Sequence, residues 1–443
     1  MTYQSKITRR TMFRYGAGAL AAGATLGRRR ATAFAPSDEV RIASVAVGNM
    51  GAADLGAVAT ARGARIVAIC DVNAVNLGEA SKLHPGAKVY SDYRLLLDEM
   101  ADEVDAVTVS TPDHMHGAVS LAAMGLGKHV YVQKPLAHNL AELRQMGKAA
   151  AETKVVTQMG TQCHGMKEYR TAMQMLRSGA IGKVSEIHAW IERVWAGPPA
   201  GRPEQAVPAP PTLDWDLWLG VAPERPFAPE IYTPMTWRGW RDFGTGTLGD
   251  MGCHLFDPLF TGLGLKSPIE IVSRGEAHHA ETFAANSDVT FTFAGTPLTA
   301  ERVTLRWTDG TTPHEVAKAQ LPEGVMLPGG GSFTVGDQGV MVLPHVGMPA
   351  FYSNGKPMEL KVEEVEAIDH YHQWVDACRG EGATECPFEY GCVVTEAVLT
   401  GVVAGAFRDQ PLKWDSEKIA FDQSTANELI HRTYRDGWGI RGL

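Results

Sequence analysis

The chain has 443 residues, of which 44% are hydrophobic and 21% charged, and it contains no extended low-complexity tract. That is the composition of a globular protein long enough for two domains of ordinary size, without solenoid repeats. Its net charge is −9, and because residues 1–33 hold seven cations and no acid, the remainder carries about −16. Such a surface gives no electrostatic support for nucleic acid or an anionic membrane as a partner.

In chain order, Thr8-Arg9-Arg10-Thr11-Met12-Phe13 leads into an apolar run, Tyr15 to Leu26, and then to Ala31-Thr32-Ala33, a small-x-small cleavage pattern. The run is far short of the ~20 residues that span a bilayer as a helix. Residues 1–33 therefore read as a cleaved signal, and the paired arginines resemble the twin-arginine type that addresses folded proteins for export. The expected location is periplasmic or secreted, with the twin-arginine export machinery as a partner and no membrane anchor.

The next 120 or so residues, 37–158, read as a dinucleotide-binding unit. Val40 to Val47 is a β-branched apolar run followed by Gly48-Asn49-Met50-Gly51, which is strand, glycine turn and helix. Further strands are expected over Ile66 to Cys70, Val104 to Ser110 and from Val130, with helical patterns such as Tyr93 to Met100 and Ala118 to Met124 between them. Strands alternating with helices imply a parallel sheet, whose ligands bind at the carboxyl ends of the strands. Gly48 lets the backbone approach a pyrophosphate, and Gly51 lets the helix pack against the strand. The helix N-terminus then offers its N–H groups to the phosphates. The full fingerprint has three glycines; Ala46 stands at the first. Asp71, 20 residues beyond Gly51 at the end of the next strand, suits the adenosine ribose hydroxyls and repels a 2′-phosphate, so NAD is expected rather than NADP. Asn49, Met50, Thr111, Pro112, His116 and Lys134 complete the expected cofactor contacts. Cys70 reads as a buried strand thiol; no CxxC is present, and buried free thiols are expected over a disulfide among Cys378, Cys386 and Cys392.

These marks, with Gly127-Lys128-His129-Val130 leading into Lys134-Pro135 and with Gly249-Asp250-Met251-Gly252-Cys253-His254, resemble the Gfo/Idh/MocA family, named for glucose–fructose oxidoreductase and inositol dehydrogenase. The resemblance covers essentially all of the chain after the signal. It implies an α/β fold, a Rossmann domain followed over 159–443 by an α/β domain with a large, mostly antiparallel open sheet, through which members form dimers or tetramers. Where the family has Glu-Lys-Pro, this chain has Gln133-Lys134-Pro135. In the second half, strands are expected at Val184 to Ile191, Val289 to Phe293, Thr299 to Leu305 and Gly339 to Leu343, and helices at Ala367 to Cys378 and Thr395 to Ala406.

Lys134 lies just past a strand, beside the expected nicotinamide, where its ammonium can stabilise a developing alkoxide. Asp250 and His254 are four apart and share a helix face. His254 is the expected general base, with Asp250 orienting it or touching substrate; two ligands without a third make no metal site there. His164, Trp237 and Arg238 are the expected substrate contacts, since aromatic faces beside charged groups suit sugar rings. His114 is expected to line the cofactor pocket, and His278-His279 and His370–His372 to be structural. The expected function is an NAD(P)-dependent oxidoreductase acting on a CH–OH group of a sugar, sugar derivative or polyol. The periplasm has no evident nicotinamide pool, so the cofactor is expected to stay tightly bound and be recycled within each turnover. Two alternatives remain open at this point: a redox-neutral NAD-dependent glycoside hydrolase working through a transient keto-sugar, and a non-catalytic nucleotide-binding sensor.

Overall fold

Short, nearly fully buried runs such as Val40–Val45 and Ala106–Val109 are what a sheet covered on both faces demands. In the computed structural model they form a six-stranded parallel sheet from β1 (Val40–Val45), β2 (Ala64–Cys70), β3 (Lys88–Tyr90), β4 (Ala106–Val109), β5 (His129–Gln133) and β6 (Thr157–Gly160). The structure describes residues 38–199, 201–203, 207–313, 320–361 and 365–440. The signal expected at 1–33 lies outside the described residues, as does part of the proline-rich stretch 197–211. The strand order is β3-β2-β1-β4-β5-β6, so the chain reverses its direction of travel between β1 and β4. That switch point opens a crevice at the carboxyl ends of the strands. Helices α1 (Met50–Ala59), α2 (Ala74–Leu83), α3 (Tyr93–Glu99), α4 (His116–Gly125) and α5 (Leu140–Thr153) make the crossovers. Side chains fix where three of them start: Asn73, Asp92 and Asn139 accept from Val75, Arg94 and Glu142 N–H respectively.

The second part is a ten-stranded sheet. Its strands are β7 (Val184–Ile191), β8 (Glu270–Ser273), β9 (Asp288–Ala294), β10 (Thr299–Asp309), β11 (Gly330–Gly336), β12 (Val340–Pro344), β13 (Ala350–Ser353), β14 (Lys356–Pro357), β15 (Leu412–Asp415) and β16 (Ala420–Phe421). They are ordered β14-β13-β12-β11-β7-β10-β9-β8-β15-β16. Only β7 and β10 run parallel to each other; every other pair is antiparallel. The expected fold class is therefore the observed one.

The remaining helices among the described residues are α6 (Lys167–Arg177), α7 (Trp215–Leu219), α8 (Gly246–Leu263), α9 (His370–Cys378), α10 (Phe388–Ala404) and α11 (Ser424–Asn427). α8 is buried along almost its whole length, against α6, α10 and strands β7 and β10. Phe256 packs edge-on to Phe291 and Trp307 of the open sheet. α10 touches both sheets, through β6 on one side and β8 and β9 on the other. One hydrophobic cluster consequently runs from the parallel sheet through α8 and α10 into the open sheet, which holds the start of α8 rigidly against the crevice. No helix among the described residues is long and apolar enough to cross a membrane. All six cysteines are free thiols.

Candidate active site

The turn between β1 and α1 is tighter than side chains comfortably allow. Ala46 and Asn49 both have positive φ, 64° and 49°, a region where only glycine is unstrained. A Cβ on Gly51 would sit 2.1 Å from the Ala46 carbonyl oxygen, and one on Gly48 would sit 2.2 Å from Asn76 Nδ2. Gly51 thus serves helix–strand packing, as its place in the motif implies. α1 begins with no side-chain cap and no acid in its first turn, which leaves its positive end for an anion. Asp71 closes β2. Its carboxylate accepts from Val47 N at 2.9 Å, Asn73 N at 2.8 Å and Asn76 Nδ2 at 3.2 Å, and burial raises its pKa.

From this turn a cavity of about 490 Å³ runs along the carboxyl ends of the strands. Gly48, Asn49, Met50, Asp71, Thr111, Pro112, His116, Lys134, Trp237, Arg238 and His254 all line it. Its far wall comes from later in the chain. Segment 212–214 lies along the loop after β2, with Ala74 N donating to Thr212 O at 2.8 Å and Asp214 N to Val72 O at 2.9 Å. Trp438 closes the same end, with the Arg94 guanidinium 3.9 Å above its ring. The residues fit a dinucleotide: a glycine turn with no room for a Cβ at Gly48 or Gly51, an uncapped helix start, a carboxylate at the ribose position, and a buried Thr111 hydroxyl with no partner of its own.

At the other end the side chains of Lys134, Trp195, Arg238 and Asp250 converge. Lys134 Nζ donates to both the carbonyl oxygen and Oδ1 of Asp250 at 2.8 Å. Arg238 Nε reaches Oδ1 at 3.0 Å and Trp195 Nε1 reaches Oδ2 at 2.7 Å. Although burial opposes ionisation, the two cations hold Asp250 far below the usual carboxylate range. This corrects the sequence expectation that Asp250 orients His254. The two share a helix face, but charged donors outcompete a neutral imidazole for the carboxylate. His254 lines the cavity with its Nδ1 unpartnered, and burial, then the Lys134 charge, keeps its pKa well below the ordinary imidazole value.

Neighbouring groups support Lys134. His116 lines the wall with its ring nitrogens 2.7 and 2.9 Å from the Pro135 and Thr111 carbonyls; burial lowers its pKa, and the single N–H of the neutral ring donates to one of the two. Gln133 Nε2 lies 3.0 and 2.9 Å from the two oxygens of Asp54, a fully buried residue of α1 that also accepts from Ser110 and Tyr371. The acid absent from position 133 is thereby present one side chain away. Asp113, at the cavity edge, accepts from Thr245 Oγ1 at 2.6 Å, and burial pushes its pKa up to about 7.

Two expected contacts fall elsewhere. His164 does not line the cavity; its ring turns inward to Asp257, at 2.8 Å. His114 packs behind the wall on Trp218 and Phe243. Trp195, Asp113 and Asp54 were not expected, and no local motif marks them. His345, whose ring centre lies 5.6 Å from that of His254 and whose Nδ1 meets Tyr169 OH at 3.0 Å, is likewise brought in only by the open sheet.

Comparison with known proteins agrees with this architecture. Residues 40–161 match the family model described as "Oxidoreductase family, NAD-binding Rossmann fold", and residues 180–298 match "Oxidoreductase family, C-terminal alpha/beta domain", both of Gfo/Idh/MocA type. The chain is 23% identical over 190 residues to a levoglucosan dehydrogenase of Pseudarthrobacter phenanthrenivorans, covering 43% of this chain and 40% of that protein. It is 30% identical over 161 residues to a glycosyl hydrolase family 109 protein of Saccharopolyspora erythraea, covering 34% and 35%. These alignments span well under half of each curated relative. In fold it is similar to an inositol dehydrogenase homologue of Azotobacter vinelandii solved with NADH and myo-inositol, with a TM-score of 0.58, 16% identity, and coverage of 85% of this chain and 98% of that one.

Proposed function

Since the chain belongs to the Gfo/Idh/MocA oxidoreductase family, we propose that it is an NAD-dependent oxidoreductase acting on a CH–OH group of a sugar, sugar derivative or polyol. The observation that carries this reading is the Lys134 ammonium, clamped by Asp250 at the end of a dinucleotide cavity with His254 one turn further along α8. Bound nicotinamide supplies the hydride acceptor. Lys134 offers its remaining N–H to the reacting oxygen and stabilises the alkoxide as it develops. Asp250 fixes where that ammonium points. His254, held neutral by burial, takes the hydroxyl proton. Trp237 and Arg238, on the same wall, meet the ring faces and hydroxyls of the substrate. The Asp71 carboxylate favours NAD over NADP, and the cover from Leu213 and Trp438 supports a cofactor that stays bound between turnovers. Export of the folded protein to the periplasm rests on the arginine pair of residues 1–33, and assembly into dimers or tetramers on the open sheet. Division into residues 37–158 and 159–443 accompanies the same reading.

The test has two stages. Protein purified from an export-competent host is denatured, and the released nucleotide is identified by absorbance and mass; near-stoichiometric NAD or NADH is expected. The native protein is then challenged with a panel of sugars and polyols, reading absorbance at 340 nm. A nucleotide that never changes redox state across the panel overturns the oxidoreductase reading. The 30% identity to a glycosyl hydrolase family 109 protein favours one second reading, glycoside cleavage with transient oxidation. Nitrophenyl glycosides releasing nitrophenol without net NADH formation would establish it.

A further inference from the structure

Away from the cavity a second group of chemistry-bearing side chains converges inside the fold. His164, in the turn after β6, directs Nδ1 at both oxygens of Asp257, at 2.8 and 3.0 Å. Asp257 is the middle of α8 and fully buried. Tyr390 OH, from α10, donates to its Oδ1 at 2.6 Å and fixes it in place. On the opposite edge of the imidazole, Nε2 faces Glu385 Oε2 at 3.5 Å. The neighbouring residue, Cys386, is a fully buried free thiol. Its sulfur, a His164 ring nitrogen and an Asp257 oxygen all lie within 4.8 Å of one another. None of these four residues lines the dinucleotide cavity.

This is how a metal-ligating histidine is held. One ring nitrogen donates to a carboxylate, which fixes the tautomer and the ring plane, and the other is left for the ion. The 3.5 Å gap to Glu385 is longer than a good N–H···O bond. It is close to the roughly 3.3 Å separating two ligands that each sit about 2.0–2.1 Å from a tetrahedral zinc ion. One imidazole, one thiolate and one carboxylate form a mixed donor set suited to Zn²⁺ rather than Mg²⁺ or Ca²⁺. Glu385 also pairs with Arg170, but a carboxylate has about four lone-pair sites, so the ion and the guanidinium can share it. It is part-exposed, which gives an entry path.

We propose that His164, Cys386 and Glu385 bind a zinc ion, with Asp257 as the carboxylate that orients the imidazole. The Cys386 thiol loses its proton to solvent as the Zn–S bond forms. The ion would staple three distant segments, the turn after β6, α8 through Asp257, and the loop before α10, and so is structural. The sequence expectation of no metal arose from looking for close ligand spacing, which residues 164, 257, 385 and 386 do not have.

The experiment uses untagged full-length protein, dialysed against micromolar zinc and then against metal-free buffer, with metal measured by plasma mass spectrometry. About one equivalent is expected in the native protein and at least tenfold less in Cys386→Ser and in His164→Asn. Cobalt(II) added to metal-free native protein reads the site without any substitution: a thiolate-to-cobalt absorption band in the near ultraviolet is expected. Zinc below a tenth of an equivalent in the native protein, equal retention in the variants, or cobalt uptake without the thiolate band each overturns the proposal. Nucleotide content, read on the same samples, separates this outcome from failure of the oxidoreductase reading.

Discussion

At the nucleotide end of the cavity the glycine turn and Asp71 supply main-chain atoms and one carboxylate from a single short stretch of chain. At the Lys134 end the groups are the side chains of Lys134, Trp195, Arg238 and Asp250, which meet although Lys134 and Asp250 stand 116 residues apart. The first kind of site is limited by space, because a methyl group in the wrong place blocks it while most side-chain chemistry is irrelevant. The second is limited by charge, because each ion depends on the others. Substitutions should therefore divide the two ends cleanly.

The largest expected effect is at the charged end. Lys134→Ala should lower turnover by about 10³-fold, on the order of 4 kcal/mol of transition-state stabilisation, while changing bound nucleotide less than threefold. Loss of nucleotide in parallel with turnover would remove the distinction between the ends. Asp250→Ala leaves Lys134 and Arg238 facing each other without their shared anion in a largely buried site; denaturant unfolding should show a loss of about 3 kcal/mol. Gly51→Ala places a methyl group against the Ala46 carbonyl. Overpacking of this kind should destabilise by about 1–3 kcal/mol and reduce co-purified nucleotide with no direct effect on the Lys134 end.

A smaller effect sharpens the boundary between the ends. Asp113 keeps its proton to about pH 7 in the fold but ionises near 3.8 when unfolded. Between those values the native state binds the extra proton, so this residue's contribution to stability falls as pH rises, by at most about 1.4 kcal/mol per pH unit. Asp113→Asn should gain on the parent protein between pH 4 and 7, and the difference should be constant above 7. A constant difference from pH 4 upward would place the carboxylate in solvent. The smallest change is Ala46→Gly. Relief of the left-handed strain and the added freedom of the unfolded chain nearly offset each other, so thermal unfolding should shift by less than about 1 kcal/mol, with nucleotide affinity unchanged or slightly improved.

The same division explains what could be read in the sequence. Strands β1, β2, β4 and β5 are apolar runs flanked by turn residues, and the glycine turn and Asp71 are contiguous signals, so this much of the parallel sheet was legible from local pattern. β7 falls on the limits of its apolar run, Val184–Ile191. β11 escaped notice since Gly330, Gly331 and Gly336 dilute its apolar pattern, and β6 because Thr157 and Gln158 are buried polar residues, Thr157 Oγ1 accepting from Phe388 N and Gln158 Nε2 donating to the His370 carbonyl. Helical spacing showed that Asp250 and His254 share a face, but not that a lysine and an arginine from elsewhere would reach the carboxylate first. The inward turn of His164 depended on Asp257, a partner 93 residues away, which no periodicity encodes.

The cover over the adenosine end has a consequence for modularity. Leu213 and Trp438 are far from the glycine turn in sequence, yet they line the same cavity. The first 161 residues are therefore not a cassette that could be cut out or exchanged with its binding strength intact. A chimera that transplants the parallel sheet alone inherits the cradle but not the roof, and any graft meant to change cofactor preference must carry the matching strap and C-terminal tryptophan with it.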